Sequence, residues 1–192
     1  MSNESGVRFH RVAFVGAGAI GGWLGVNLGR AGAQISVLAR GQTLQALQQR
    51  GLQLHQGGEC HTLSVQASDD AAALGVQDLV VMAVKAPALQ EVAQQVGPLM
   101  GPDTVVLTAM NGVPWWFLQG FGGPMAGHSL RSVDPAGAIA RALPAAHIIG
   151  CVVHASCSVD APGVIRHHFG DGLIVGEPSG QVTPRVQALH AL

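Results

Sequence analysis

The chain has 192 residues, of which 48% are hydrophobic and 11% are charged, and its formal net charge is −1. Since charged residues make up about a quarter of an average globular protein, this composition excludes intrinsic disorder and predicts a large buried core. The 10 basic and 11 acidic residues give no electrostatic basis for binding nucleic acid. The three scattered cysteines, Cys60, Cys151 and Cys157, argue against a secreted disulfide framework and favour a cytoplasmic protein.

Short apolar runs alternate with helical stretches in the first part of the chain. Strands are predicted at Arg11–Val15, Gln34–Leu38, Asp78–Val84 and Thr104–Ala109. Helices are predicted at Ala19–Ala31, Thr43–Arg50 and Leu89–Leu99, with a hairpin at Leu52–His55 and Cys60–Val65. The repetition of strand, helix and strand is typical of right-handed βαβ units. The predicted fold class is therefore α/β, with a Rossmann-like, doubly wound and mostly parallel sheet.

The last part of the chain contains three more strand-like runs, Ile148–His154, Gly163–Phe169 and Leu173–Val175, which we expect to extend the same sheet. Pro184–Leu192 places a proline in a first helical turn ahead of a periodic apolar run, which is the pattern of a helix that begins. We therefore expect one domain over residues 1–183 and the start of a second at residues 184–192, with the remainder of the second missing.

One segment admits a different interpretation. Val12–Gly29 is an uncharged run of 18 residues, as in a signal peptide or a short membrane span. Six of these residues are glycine, which weakens a free-standing apolar helix. We therefore expect no membrane association.

A glycine pattern stands between the first predicted strand and the first predicted helix. It has the form G-x-G-x-x-G and comprises Gly16, Ala17, Gly18, Ala19, Ile20 and Gly21. In this context it is typical of a dinucleotide-binding loop, in which the helix N-terminus receives the pyrophosphate. Gly16 would allow the tight turn, Gly18 the close approach of the pyrophosphate, and Gly21 the packing of helix on sheet. The alternative is that the glycines only permit dense packing of an apolar core.

The end of the second strand indicates which dinucleotide would bind. NAD-binding units place Asp or Glu about 20 residues after the loop, where it binds the ribose 2′-hydroxyl. Here the second strand runs into Arg40, and no acidic residue occurs between Glu4 and Glu59. Since an arginine pairs well with a 2′-phosphate, Arg40 predicts NADP(H) as the cofactor. The alternative is a solvated loop arginine.

Two polar residues follow two other predicted strands. Lys85, the only lysine of the chain, comes after Asp78–Val84, and Asn111 comes after Thr104–Ala109. Because ligands bind outside the carboxyl ends of parallel strands, this cation and this amide are expected to converge where a nicotinamide ribose and a substrate carboxylate could lie. Taken singly, each could be a strand-end lysine or an ordinary Asn-Gly turn.

Together these motifs resemble the ketopantoate reductase (2-dehydropantoate 2-reductase) family. The resemblance rests on GAGAIGG at residues 16–22, VLAR at 37–40, VKAP at 84–87, MNGVPWW at 110–116, GCVVHAS at 150–156 and PGVIRHHFGDGLIVGEP at 162–178. It implies NADPH-dependent reduction of a small 2-keto acid, ketopantoate or a related oxoacid, in pantothenate biosynthesis. It leaves a homodimer open.

The resemblance also implies roles for individual residues. The loop at residues 16–21 would hold the NADP pyrophosphate, and Arg40 would hold the 2′-phosphate. Lys85 and Asn111 would contact the nicotinamide–ribose end and help to position the substrate. Ser156 would make a further cofactor contact.

The chain departs from the family in length. Members carry their general-acid lysine in a helical C-terminal domain, beyond the point that this chain reaches, so the catalytic acid is unknown here. Reduction of a keto acid produces an alkoxide, which needs a proton donor and a positive neighbour. Lys85 alone is unsuited to both tasks, so we expect the isolated chain to bind cofactor and to be poorly active or inactive.

Other patterns lead to weaker hypotheses. His167 and His168 are adjacent and so point to opposite faces of a strand, and no metal site is expected. Apolar surroundings favour buried thiols over a nucleophile at Cys151 and Cys157. The cluster at residues 115–117 is either a binding platform or part of a core. A non-catalytic Rossmann module that senses a nucleotide stays open as an alternative function, because a fold alone does not define an activity.

Overall fold

A mixed, mostly parallel sheet organises the chain. The computed structural model describes residues 7–120 and 122–192, so residues 1–6 of the predicted first domain and Phe121 lie outside the described residues. The strands are β1 (Arg11–Val15), β2 (Gln34–Leu38), β3 (Leu52–Gln56), β4 (Glu59–Leu63), β5 (Gln66–Ser68), β6 (Leu79–Met82), β7 (Val105–Ala109), β8 (Ile148–Ala161) and β9 (Val164–Gly176). The helices are α1 (Ala19–Arg30), α2 (Gly41–Arg50), α3 (Ala86–Ala93), α4 (Ala138–Ala142) and α5 (Pro184–His190).

The strand order confirms the predicted fold class. The sheet runs β4-β3-β9-β8-β7-β6-β1-β2-β5, and only the β3–β4 and β8–β9 pairs are antiparallel among the described strands. The parallel strands β6, β1 and β2 end at the same edge, and each leads into a helix. This edge is called the carboxyl edge below.

The sheet curls over helix α1, which packs on β1 and also on β3 and β9. A Cβ added to Gly22 in α1 would lie 2.4 Å from Cγ1 of Ile165 in β9, so the close contact requires glycine. The opposite face of the sheet is covered by α3 and α4, with Leu89 and Ile139 in the second apolar cluster. The glycines of α1 are thus explained in part by the packing of this helix against both β1 and the strands β3 and β9 of the same sheet.

The uncharged run Val12–Gly29 does not form one segment. It is divided among β1, the glycine loop and most of the 12-residue helix α1. Across the described ranges 7–120 and 122–192, every helix is too short or too polar to cross a membrane.

Several local predictions need correction. The three strand-like runs after residue 147 form two strands, because β9 continues through Gly170–Gly172 opposite β8, with shifts of register near Ser156. The helix expected at Leu89–Leu99 instead begins at Ala86, with Pro87 in its first turn, and ends at Ala93. Pro98 lies in a separate 3-10 turn, since proline cannot continue a regular helix. Strand β5 and helix α4 were not predicted because three and five residues show no period.

Candidate functional site

The conformation of the loop between β1 and α1 requires two of its glycines, Gly16 and Gly21. The backbone N–H of Gly16 donates to the carbonyl oxygen of Leu38 at 3.2 Å, and the φ angle of Gly16 is +91°, a conformation that disfavours a side chain. A Cβ on Gly21 would lie 2.3 Å from the carbonyl oxygen of Gly16. The backbone of the loop therefore requires glycine at both positions, whether or not a ligand binds.

Gly18 is different, because packing does not explain it. A Cβ added there would have no heavy atom within 4 Å, and the residue is exposed. Gly18 caps α1 without a side-chain hydrogen bond, and no acidic residue lies in the first turn of the helix. The positive end of α1 is thus open at its backbone, which is the arrangement that binds a phosphate.

A groove of about 510 Å³ lies beside this loop at the carboxyl edge. We call it the glycine-loop groove. It is lined by Val15, Gly16, Ala17, Gly18, Leu38, Ala39, Arg40, Thr43, Asp69, Val84, Ala88, Val92, Gln95 and Val159. The strand ends of β1 and β2, the start of α2 and one face of α3 therefore bound a single space.

Arg40 stands at the β2 side of the groove, as predicted for a residue at the end of that strand. Its Nη1 donates to Oε1 of Glu91 in α3 at 2.6 Å, and the two side chains are 74% and 55% exposed. Asp69 also lines the groove, directly after β5. The fold brings these two carboxylates to the same groove as Arg40, although neither is near it in the sequence.

Asn111 is held against the neighbouring strand. Its Nδ2 donates to the carbonyl oxygen of Val153 at 3.1 Å, and its Oδ1 accepts from the backbone N–H of Val153 at 2.9 Å. The side chain thus pairs with β8 two residues beyond Ala109, the last residue of β7. One N–H and one lone pair of the amide remain for a ligand.

Asn111 also lines a second cavity of about 440 Å³, called here the Asn111 pocket. Its other lining residues are Ala86, Pro87, Leu89, Gln90, Thr108, Met110, Gly112, Val113, Pro114, Trp115, Ser132, Val133, Pro135 and Ile139. None of these described residues titrates, so the pocket itself offers no acid or base.

Lys85 lies at the border between the two cavities. Val84 lines the glycine-loop groove, whereas Ala86 lines the Asn111 pocket. Lys85 is exposed and forms the N-cap of α3 without a side-chain hydrogen bond. The loop, Arg40, Lys85 and Asn111 therefore share one edge of the sheet.

Ser156 is not brought to either cavity. It lies half-buried within β8, at the irregularity of the β8–β9 pairing. The residue of β8 that lines the glycine-loop groove is Val159. A cofactor contact by Ser156 stays a prediction.

The structure also shows the surroundings of the candidate nucleophiles, of the aromatic cluster at residues 115–117 and of the candidate metal ligands. Burial raises the pKa of the Cys151 thiol to about 11, and that of Cys157 likewise to about 11, so neither is an activated nucleophile. Trp115 is buried and donates through Nε1 to the carbonyl oxygen of Leu143 at 3.4 Å, whereas Phe117 is exposed. Among the residues that the structure describes, no cluster of His, Cys, Asp or Glu could hold a metal ion.

A doubly wound sheet, a glycine loop open at a helix N-terminus and a groove across the strand ends are typical of α/β domains of the Rossmann class. The family profile described as ketopantoate reductase PanE/ApbA matches residues 12–122. The chain therefore belongs to the ketopantoate reductase PanE/ApbA family, a family of oxidoreductases.

Individual relatives agree with this assignment. The chain is 46% identical over 180 residues to a 2-dehydropantoate 2-reductase of Mesorhizobium japonicum, covering 93% of this chain and 55% of the relative. A solved structure from Ralstonia solanacearum MolK2, described as a candidate ketopantoate reductase, is 55% identical with a TM-score of 0.92, covering 95% of this chain and 57% of that one. A 2-dehydropantoate 2-reductase from Geobacter metallireducens GS-15 is 27% identical with a TM-score of 0.74, covering 94% of this chain and 54% of that one. The chain thus spans about half the length of these relatives.

Proposed function

We propose that this chain binds NADP(H) in the glycine-loop groove and is the cofactor-binding domain of a cytoplasmic, NADPH-dependent 2-keto acid reductase. The observation that carries the proposal is Gly18. A side chain at this position would meet no other atom of the described protein, so packing does not require a glycine there. A dinucleotide pyrophosphate gives the absence of a side chain a reason. The relatives named as 2-dehydropantoate 2-reductases support ketopantoate as the substrate.

The residues present fit a dinucleotide laid across the carboxyl edge. The loop at residues 16–21 would hold the pyrophosphate at the N-terminus of α1. Arg40 would hold the 2′-phosphate, since its guanidinium is exposed and lines the groove. Lys85 and Asn111 would lie at the nicotinamide–ribose end, between the groove and the Asn111 pocket. The predicted contact by Ser156, which lines neither cavity, is not part of this arrangement.

The proposed chemistry divides the work between this chain and another part of the enzyme. When bound, NADPH supplies the hydride that reduces the keto carbon. Lys85 would add positive charge near the substrate carboxylate, and Asn111 would offer its free N–H to a polar group of the substrate. Because the Asn111 pocket has no titratable lining residue, we place the proton donor outside residues 1–183, in a domain of which residues 184–192 are the start.

Calorimetric titration of the chain with NADPH and, in parallel, NADH tests the cofactor assignment. Preference for NADPH by tenfold or more corresponds to about 1.4 kcal/mol. An Arg40→Ala variant is expected to lose most of this preference by weakening NADPH binding alone. Arg30→Ala is a matched control, because it removes the same charge from an exposed position at the far end of α1.

Three results would separate the parts of the proposal. Equal binding of both cofactors would keep the site and remove Arg40 as the phosphate ligand. A loss of preference in Arg30→Ala as large as that in Arg40→Ala would indicate a general charge effect. A folded chain that binds neither cofactor would contradict the cofactor assignment.

A further inference from the structure

The charge of Arg40 is paired with a carboxylate within the protein. Glu91 reaches Arg40 at 2.6 Å, and Asp69 lines the same groove. A site that bound a 2′-phosphate as tightly as possible would present its cation without an acidic partner, since like charges repel the phosphate. Glu91 therefore opposes the ligand that Arg40 favours.

The position of Glu91 is set by helix α3. Ala88 and Val92, four residues apart and so on one face of the helix, line the glycine-loop groove. Glu91 lies beside this face and extends toward Arg40. Helix α3 follows β6, whereas Arg40 follows β2, and β1 lies between these two strands.

The ion pair therefore crosses the groove above the end of β1. Both of its side chains are more than half exposed, and an exposed pair contributes only about 0–1 kcal/mol to stability. A phosphate can displace Glu91 from Arg40 at little cost to the fold. The displaced carboxylate stays on the rim of the groove, tethered to α3, where its charge acts against the incoming phosphate.

Resting on the proposed cofactor site, we infer that Glu91 is a specificity residue that restrains the preference for a 2′-phosphorylated cofactor. It competes with the 2′-phosphate for Arg40 and repels it once bound. A cofactor with a free 2′-hydroxyl carries no charge at this position, so its affinity depends much less on Glu91. The ratio of NADPH to NADH affinity is thus set by Arg40 and Glu91 together.

Titration of Glu91→Gln with NADPH and NADH tests this inference. The variant keeps the size of the side chain and removes its charge. We expect NADPH affinity to increase by about threefold to tenfold at low salt, the range for a unit charge a few ångströms from a phosphate at the protein surface, and NADH affinity to change by less than about twofold. The gain is expected to shrink at high salt, because such charges are screened.

Two further variants locate the effect. Asp103→Asn removes one negative charge near the amino end of β7, at the opposite edge of the sheet, and is expected to leave both affinities unchanged. In an Arg40→Ala background, Glu91→Gln is expected to lose most of its gain, because the phosphate is no longer held beside residue 91.

The outcomes distinguish this inference from the proposed function. If the wild-type chain binds neither cofactor, the proposed function fails and the inference fails with it. If the wild type binds NADPH but Glu91→Gln leaves its affinity unchanged or lower, the inference alone is wrong. An equal gain for NADPH and NADH would also overturn it, since the effect would then not act on the 2′-phosphate.

Discussion

The two edges of the sheet use arginine in opposite ways. At the carboxyl edge, Arg40 has one acidic partner and is 74% exposed. At the amino end of β8, Arg185 donates to both carboxylate oxygens of Glu177, at 2.7 and 2.5 Å, and to the carbonyl oxygens of Ala146 and Ile148. Its side chain is 24% exposed, and that of Glu177 only 6%.

This difference separates charges that hold the fold from charges that are available to a ligand. The guanidinium of Arg185 ties α5 to the start of β8 and to the end of β9, and four of its five N–H donors are occupied within the protein. Arg40 keeps most of its donors for another group. We therefore expect substitution of Arg185 to change the stability of the fold and substitution of Arg40 to change ligand binding.

The largest expected effect is on stability. Arg185→Ala leaves the buried carboxylate of Glu177 without its cation and is expected to lower the free energy of unfolding by about 3 kcal/mol. Arg40→Ala is expected to change it by less than about 0.5 kcal/mol, because its pair is exposed. Urea denaturation of both variants measures this difference. Similar losses in the two would show that exposure does not divide their roles.

The glycine loop contains a second contrast of this kind. Gly21→Ala places a Cβ against the carbonyl oxygen of Gly16 and is expected to cost about 2 kcal/mol. Gly18→Ala meets nothing within 4 Å and is expected to change stability by less than about 1 kcal/mol. Its effect is expected on NADPH affinity, with at least a tenfold loss (about 1.4 kcal/mol). Denaturation and calorimetry of the same two samples test both expectations, and normal NADPH binding by Gly18→Ala would remove the main support for the cofactor site.

A smaller effect is expected on the stability of the chain at acidic pH. The hydrogen bonds from Arg185 lower the pKa of Glu177 below its ordinary value of 4.5. The folded chain therefore binds this proton more weakly than the unfolded chain, so the stabilisation is present above pH 4.5 and is lost as the pH falls through the lowered pKa. Glu177→Gln has no such proton to bind and is expected to lose less stability between pH ~5 and pH ~3 than the wild type. Equal losses, measured by urea denaturation at each pH, would contradict this role.

Much of the carboxyl edge was predictable, because it depends on local pattern and one topological rule. The ends of β1 and β2 follow from short apolar runs, and both strands have the predicted bounds. Parallel strands end at a common edge, so Arg40, Lys85 and Asn111 could be assigned to it before their positions were known. Ser156 could not be placed in this way, because an irregular antiparallel pairing decides which side chains face which surface.

The sequence by itself determined the α/β class, the glycine loop and the polar residues that follow three of the strands. These features arise from neighbouring residues, whose spacing alone selects strand, turn or helix. Only the tertiary structure decided that Glu91 meets Arg40, 51 residues away, and that Asn111 binds the backbone of Val153, 42 residues away. Such contacts depend on strand order and on the curl of the sheet, since periodicity reports which face of an element is buried but not which residue lies opposite.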